Sequence, residues 1–140
     1  PTFPPECFAM VEQIDSMKRK QFAKGMNQIA QEGAIQIFIE PGGGLERVYV
    51  GVVGMLQYEV LEHRMETEYG VKYRKTDLPH TLIRWIENKD IDPSRLKLSA
   101  DTRVVQDFRG NNLLIFSGEW SIDWALNNNE GLVLSEFDKM

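Results

Sequence analysis

The strictest pattern in the chain is an alternation of apolar residues on either side of a glycine-rich turn. Ile35, Ile37 and Ile39 alternate through residues 34–40, Pro41-Gly42-Gly43-Gly44 follows, and Val48, Val50 and Val52 alternate through residues 47–53. A side-chain period of two belongs to extended backbone, so the segment predicts a β-hairpin with those aliphatic residues on one face. Phe38, Tyr49 and Val53 fall on the other face. A sheet that is apolar on both faces must be covered on both, and the cover for the second face has to come from the C-terminal part of the chain or from neighbouring domains.

Helical periods flank the hairpin. Phe8–Ile14 reads as a strand, and Asp15 or Ser16 can cap the first free amides of a helix over Met17–Glu32, in which Phe22, Met26, Ile29 and Ala30 share one face and Gly33 is the stop. A second helix is predicted over Met55–Tyr69, with Leu56, Val60, Leu61 and Met65 on its buried side and Gly70 closing it. Val71–Lys75 follows as a strand, with Val71 and Tyr73 inward. Strand, helix, strand, strand, helix, strand is the split βαβ order of an α+β, ferredoxin-like (βαββαβ) unit, placed at about residues 6–77.

The remainder, about 78–140, reads as a C-terminal α+β extension packed on that unit. It has strands at Leu82–Glu87, Val104–Asp107, Asn112–Ser117 and Leu132–Glu136 and a short helix at Glu119–Asn127. Trp120 and Trp124 lie one turn apart on that helix and are expected in the core, since aromatic side chains supply much of a small domain's packing. A length of 140 residues suits one domain, and 42% hydrophobic with 26% charged residues is enough apolar material for a core. No sequence repeat is visible. The single cysteine, Cys7, excludes an internal disulfide and fits a cytosolic setting. No apolar run is long enough to span a bilayer as a helix, and the start, Pro1-Thr2-Phe3-Pro4-Pro5, suggests a chain that begins inside a longer protein.

The residues offer little that could perform catalysis. No GxxxxGK[ST] loop is present to cradle a nucleotide phosphate, and Gly42-Gly43-Gly44 joins two strands rather than opening a helix. Asn88-Lys89-Asp90 is a polar turn before Pro93, and neither His63 nor His80 has a nucleophile or carboxylate partner at a recognisable spacing. The expectation is no catalytic, cofactor or metal site in this chain and no closed ligand pocket.

Charge is distributed unevenly. The net charge is -5, yet residues 17–24 hold Lys18, Arg19, Lys20 and Lys24 without an acid, while residues 111–138 hold Glu119, Asp123, Glu130, Glu136 and Asp138 without a base. Lys72, Arg74 and Lys75 form a second basic group. The seven cations are candidate ribosome or RNA contacts through phosphate if the two groups converge; charge alone fits a solvated face equally. Arg47-Val48-Tyr49-Val50-Gly51-Val52 lacks the paired aromatics of sequence-reading RNA domains, which leaves shape and phosphate recognition.

Several longer runs carry a resemblance. Phe3-Pro4-Pro5-Glu6, Lys20-Gln21-Phe22 and Gln31-Glu32-Gly33-Ala34-Ile35-Gln36-Ile37-Phe38 are similar to the start of the C-terminal domain of class II peptide chain release factors. So is the block from Val50-Gly51-Val52-Val53-Gly54-Met55-Leu56-Gln57-Tyr58-Glu59-Val60-Leu61 through Glu68-Tyr69-Gly70-Val71, which more distantly resembles the third domain of elongation factor G. Asp107–Gly110, Leu113–Phe116 and Glu119-Trp120 extend the likeness to the tail. The resemblance implies a non-catalytic domain of a cytoplasmic translational GTPase, with GTP or GDP and Mg2+ bound by a separate G domain. It also implies contact with the small ribosomal subunit and with that G domain, and a functional link to the class I release factors whose departure the family promotes. The equivalent domain of another translational GTPase, or a ferredoxin-like small-molecule binder, is the alternative reading.

Overall fold

The computed structural model describes residues 3–136, so Asp138 of the acidic tail lies outside the described residues. Its first half contains β1 (Cys7–Gln13), α1 (Arg19–Gln31), β2 (Gln36–Phe38), β3 (Arg47–Val52), α2 (Leu56–Tyr69) and β4 (Tyr73–Leu78). The strands form one sheet in the order β2-β3-β1-β4, every neighbouring pair antiparallel. That is the ferredoxin-like arrangement which the order of patterned segments predicted.

Local chemistry sets the helix ends. The Asp15 carboxylate accepts the Met17 N–H at 2.9 Å and opens a single 3-10 turn, Ser16–Lys18, that runs into α1. At the far end of α2, Gly70 takes a left-handed φ of 66°; its N–H donates to the Glu66 carbonyl and the Val71 N–H to that of Met65. The two helices run antiparallel across the sheet and touch where α1 has Gly25. A Cβ there would stand 2.6 Å from Met65 Sδ and 3.0 Å from Tyr69 Cδ2, so the close approach depends on the missing side chain.

The buried side of α2 differs from the one predicted. Tyr58, Leu61 and Met65 are buried, whereas Leu56 is 69% and Val60 45% exposed. Tyr58 accounts for the difference: its ring enters the core and its hydroxyl donates to the Val50 carbonyl at 3.0 Å, so a large aromatic is buried with its polar tip satisfied. Aliphatic spacing alone does not register that ring. Val53 is likewise not on the sheet. It lies just past β3, half-exposed, with its N–H donating to Gln57 Oε1.

The second half builds another four-stranded antiparallel sheet from β5 (Leu82–Ile86), β6 (Arg103–Gln106), β7 (Asn112–Phe116) and β8 (Leu134–Glu136), with α3 (Glu119–Asn128) between the last two. Its strand order, β6-β7-β5-β8, repeats that of the first sheet. Where the first half has α1, the second has an irregular segment containing one 3-10 turn, Pro93–Arg95. The topology is therefore duplicated although the sequence shows no repeat.

Alternation sorts the side chains into layers. Ala9, Val11, Ile37, Val48, Val50 and Val52 face α1 and α2. Phe8, Met10, Phe38 and Tyr49 face the opposite way and pack on Ile83, Val105, Leu113 and Ile115 of the second sheet. Leu114 and Phe116 then point away from the first sheet to meet Ile122 and Ala125 of α3. The order of layers is helices, sheet, sheet, helix, and the cover for the hairpin's second face is the C-terminal half of this chain. The outer strands β2 and β6 are joined by a bridge in which Ile39 and Gln106 exchange backbone hydrogen bonds at 2.9 and 2.7 Å. Tyr49 adds a polar tie between the sheets, donating to Glu40 at 3.1 Å and accepting from Arg103 at 3.4 Å.

Because Ile115 is fully buried between the sheets, its replacement should be felt by both. Ile115→Ala is expected to lower unfolding stability by about 2–5 kcal/mol, and urea unfolding of wild type and variant should each show one cooperative transition. Two resolved transitions would mean that the sheets fold independently.

Candidate functional site

The basic residues occupy the edge where α1 begins and α2 ends. Lys18 is half-buried there and its Nζ donates to the Gly70 carbonyl at 2.7 Å, placing a cation on the exposed carbonyls at the C-terminus of α2. The contact ties the first basic group to the second, because Lys72 is exposed only two residues beyond Gly70. Lys20 and Lys24, four residues apart, lie on the outward face of α1 opposite Phe22, Met26 and Ile29; Arg19 is exposed at its first turn.

Arg74 and Lys75 behave differently from this group. Lys75 faces α2, with Nζ 4.2 Å from the centre of the Tyr58 ring and 3.0 Å from Asp77 Oδ1, so its charge is already engaged within the domain. Arg74 points to the other face of β4, by alternation with Tyr73 and Lys75 and in phase with Leu78, which packs between the sheets. Lys18 thus reaches the chain two residues before Lys72; Arg19, Lys20 and Lys24 follow exposed along α1, and Arg74 and Lys75 belong to neither. Alternation alone could have told Arg74 from Lys75; the Lys18–Gly70 contact spans 52 positions of sequence and has no local signal.

A second clamp fixes α1 against α2 at the other end. The Arg64 guanidinium donates to both Glu32 oxygens, at 2.6 and 3.1 Å, and to both Glu68 oxygens, at 2.8 and 3.0 Å. These hydrogen bonds, more than the accompanying charge attraction, hold both carboxyls below their ordinary value of 4.5.

The other candidate polar groups lie away from this edge. His80 is buried, and its Nε2 donates to the main-chain oxygen of Asp101 at 2.5 Å. The Asp101 carboxylate instead accepts from Ser117 and Ser99, whose hydroxyls hold it below the usual carboxylate range. The cluster ties the loop before β6 to the turn before β5, with both serines bonded to the Asp101 carboxylate and His80 to its main chain. Nδ1 of His80 has no partner among the described residues. His63 is exposed on α2, and Cys7 packs at the margin of the helix-side core. An open groove of about 530 Å³ runs beside Phe3, Ala34, Ile35, Val53 and Gln57 and has no titratable side chain in its lining. Among the described residues, no three side chains of His, Cys, Asp or Glu gather as a metal-ligand set, and no helix is long and apolar enough to cross a membrane.

Trp120 and Trp124, expected in the core, are 58% and 40% exposed. On α3 the buried positions are Ser121, Ile122 and Ala125, so the small residues face the sheet and the tryptophans face outward. A ten-residue helix has room to bury one stripe, and the sheet beneath already carries Phe116 and Leu114.

Comparison with known proteins identifies the family to which this architecture belongs. A family model described as Class II release factor RF3, C-terminal domain, matches residues 1–126, and the chain belongs to that family. A protein named peptide chain release factor 3 from Symbiobacterium thermophilum is 41% identical over 133 residues, covering 95% of this chain and 25% of that protein. Proteins of the same name from Listeria welshimeri and Streptococcus mutans are 38% and 36% identical, covering 96% and 97% of this chain and 25% and 26% of theirs. The chain spans about a quarter of the length of the curated relatives it matches.

The Arg64 clamp gives a pH-dependence of defined sign. Carboxyls depressed in the folded state stabilise it above their unfolded value and lose that contribution as pH falls through the folded one. Arg64→Met should raise the titration midpoints of Glu32 and Glu68 toward 4.5, followed by NMR of their side-chain carboxyl carbons. Unmoved midpoints would show that the clamp does not form in solution.

Proposed function

We propose that this chain is the ribosome-contacting, interdomain-coupling domain of a GTP-dependent release factor, which promotes the departure of class I release factors in translation termination. It performs no chemical step itself. GTP or GDP and Mg2+ belong to a G domain elsewhere in the parent protein, which acts in the cytoplasm. The reading is supported by family membership and by relatives named as release factors. The observation that carries its mechanism is the Lys18–Gly70 contact, which brings the basic start of α1, with exposed Arg19 and Lys20, to the segment that leads to exposed Lys72.

Such an edge recognises the phosphate backbone of structured RNA by charge and shape, without reading bases. In the small ribosomal subunit it gives the domain a fixed footing. The G domain bound elsewhere on the same chain then shifts the population between two orientations of this footing as its nucleotide changes. The domain contributes stiffness: four packed layers and clamped helices transmit a rotation without absorbing it. A small-molecule-binding role is less favoured because the grooves beside Gln57, beside Glu40 and Arg47, and beside Asp92 and Arg95 are all open to solvent rather than enclosing.

Co-sedimentation with isolated small subunits across a salt series tests the reading. Arg19→Ala, Lys20→Ala and Lys24→Ala combined should weaken binding and reduce the slope of log K against log salt by about 2–3, roughly one for each phosphate that is no longer neutralised. Lys75→Ala should change neither. Lys18 is left intact because it also holds Gly70. Equal slopes for wild type and triple variant would remove this edge from the interface.

A further inference from the structure

The outer face of α3 carries a second surface, of opposite character to the basic edge. Trp120, Asp123, Trp124 and Asn127 recur at three- and four-residue spacing and form one stripe along the exposed side of the helix. Aromatic side chains carry about 150–250 Å² of surface each, and two of them left in water one turn apart form a contiguous apolar patch. Trp is also the residue type most enriched among those that dominate binding interfaces.

The surroundings of the patch specify its occupant. Residues 110–136 contain no lysine, arginine or histidine; the nearby cations, Lys97 bonded through its main chain to Asn129 and Arg95 in a groove with Glu130, meet the C-terminal end of the helix, away from Trp120. Glu119 and Asp123 flank the tryptophans on the helix and Glu130 follows it; none of the three enters the ion pairs formed among the described residues. Glu119, in the first turn, complements the helix dipole. Asp123, in mid-helix and exposed, has no such structural duty. An indole face beside a carboxylate suits a guanidinium or ammonium, which can lie over the ring while its N–H groups reach the acid. The same acids repel a phosphate backbone, so single-stranded RNA, which also stacks on aromatics, is disfavoured.

We propose that Trp120 and Trp124, with Asp123 and Glu119, form a docking surface for an arginine- or lysine-rich segment of another protein chain. The surface lies on α3, which packs on the side of the second sheet away from the first, whereas the basic edge belongs to the α1 and α2 layer. The two proposals therefore concern different surfaces and stand or fall separately.

The indole N–H signals of the 140-residue chain provide the test, since its three tryptophans include Trp85, which packs between the sheets. Titration with a short arginine-rich peptide should shift the Trp120 and Trp124 signals saturably and leave that of Trp85 in place. Trp120→Ala combined with Trp124→Ala, both at exposed positions, should weaken peptide binding roughly ten-fold or more, the scale of hot-spot loss. Glu59→Gln with Glu62→Gln, exposed acids of α2, should leave binding close to wild type and so control for net charge. Equal weakening in the tryptophan and α2 variants would reduce the effect to general acidity and overturn the proposal. Oligouridylate shifting the same indole signals more strongly than the peptide would overturn it in favour of RNA.

Discussion

The constraint on which the rest of the structure depends is that the first sheet is apolar on both faces. Val48, Val50 and Val52 demand helices on one side; Phe8, Met10, Phe38 and Tyr49 demand a cover on the other. A ferredoxin-like unit alone covers one face only. The second half of the chain answers the remaining demand with a sheet whose own inner face, Ile83, Val105, Leu113 and Ile115, matches it, and which needs α3 behind it for the same reason. Each layer exists because the one before it has an unsatisfied face.

The first half was legible because its periods are clean and its punctuation is chemical. Asp15 caps, Gly33 and Gly70 stop, and the turn at Pro41–Gly44 separates two runs of period two. The resemblance to class II release factors agreed with that pattern. Strands of the second half were also visible, but their order was not, since register and pairing between β5, β7 and β8 depend on contacts distant in sequence. The duplicated topology is invisible to any comparison of residues because the two halves share pairings rather than side chains.

Misreadings fell where helices were short or aromatic residues decided the face. On α2, Tyr58 displaced Leu56 and Val60 from the interior by offering a larger apolar surface together with a hydroxyl that finds the Val50 carbonyl. On α3, the packing value of aromatic side chains placed the tryptophans inside, whereas the helix turns Ser121, Ile122 and Ala125 toward the sheet. The candidate basic edge was half legible. Its cations are plain in the sequence, but the tie between the two basic groups and the engagement of Lys75 needed the Lys18–Gly70 and Lys75–Tyr58 contacts.

The layered order also has an electrical consequence. The cations of α1 and the acids of α3 sit on outer layers separated by two sheets, a distance set by layer spacings of about 10 Å each. Because α2 shares the α1 layer and brings Glu59, Glu62, Glu66 and Glu68, the charges form local patches on opposite sides of the molecule rather than one divided whole. Patches three layer spacings apart lie beyond a Debye length of about 8–10 Å from one another, so salt screens each from the other and each meets a charged partner independently. The thickness of the sandwich thus works as an insulator, which lets oppositely charged patches share one small molecule.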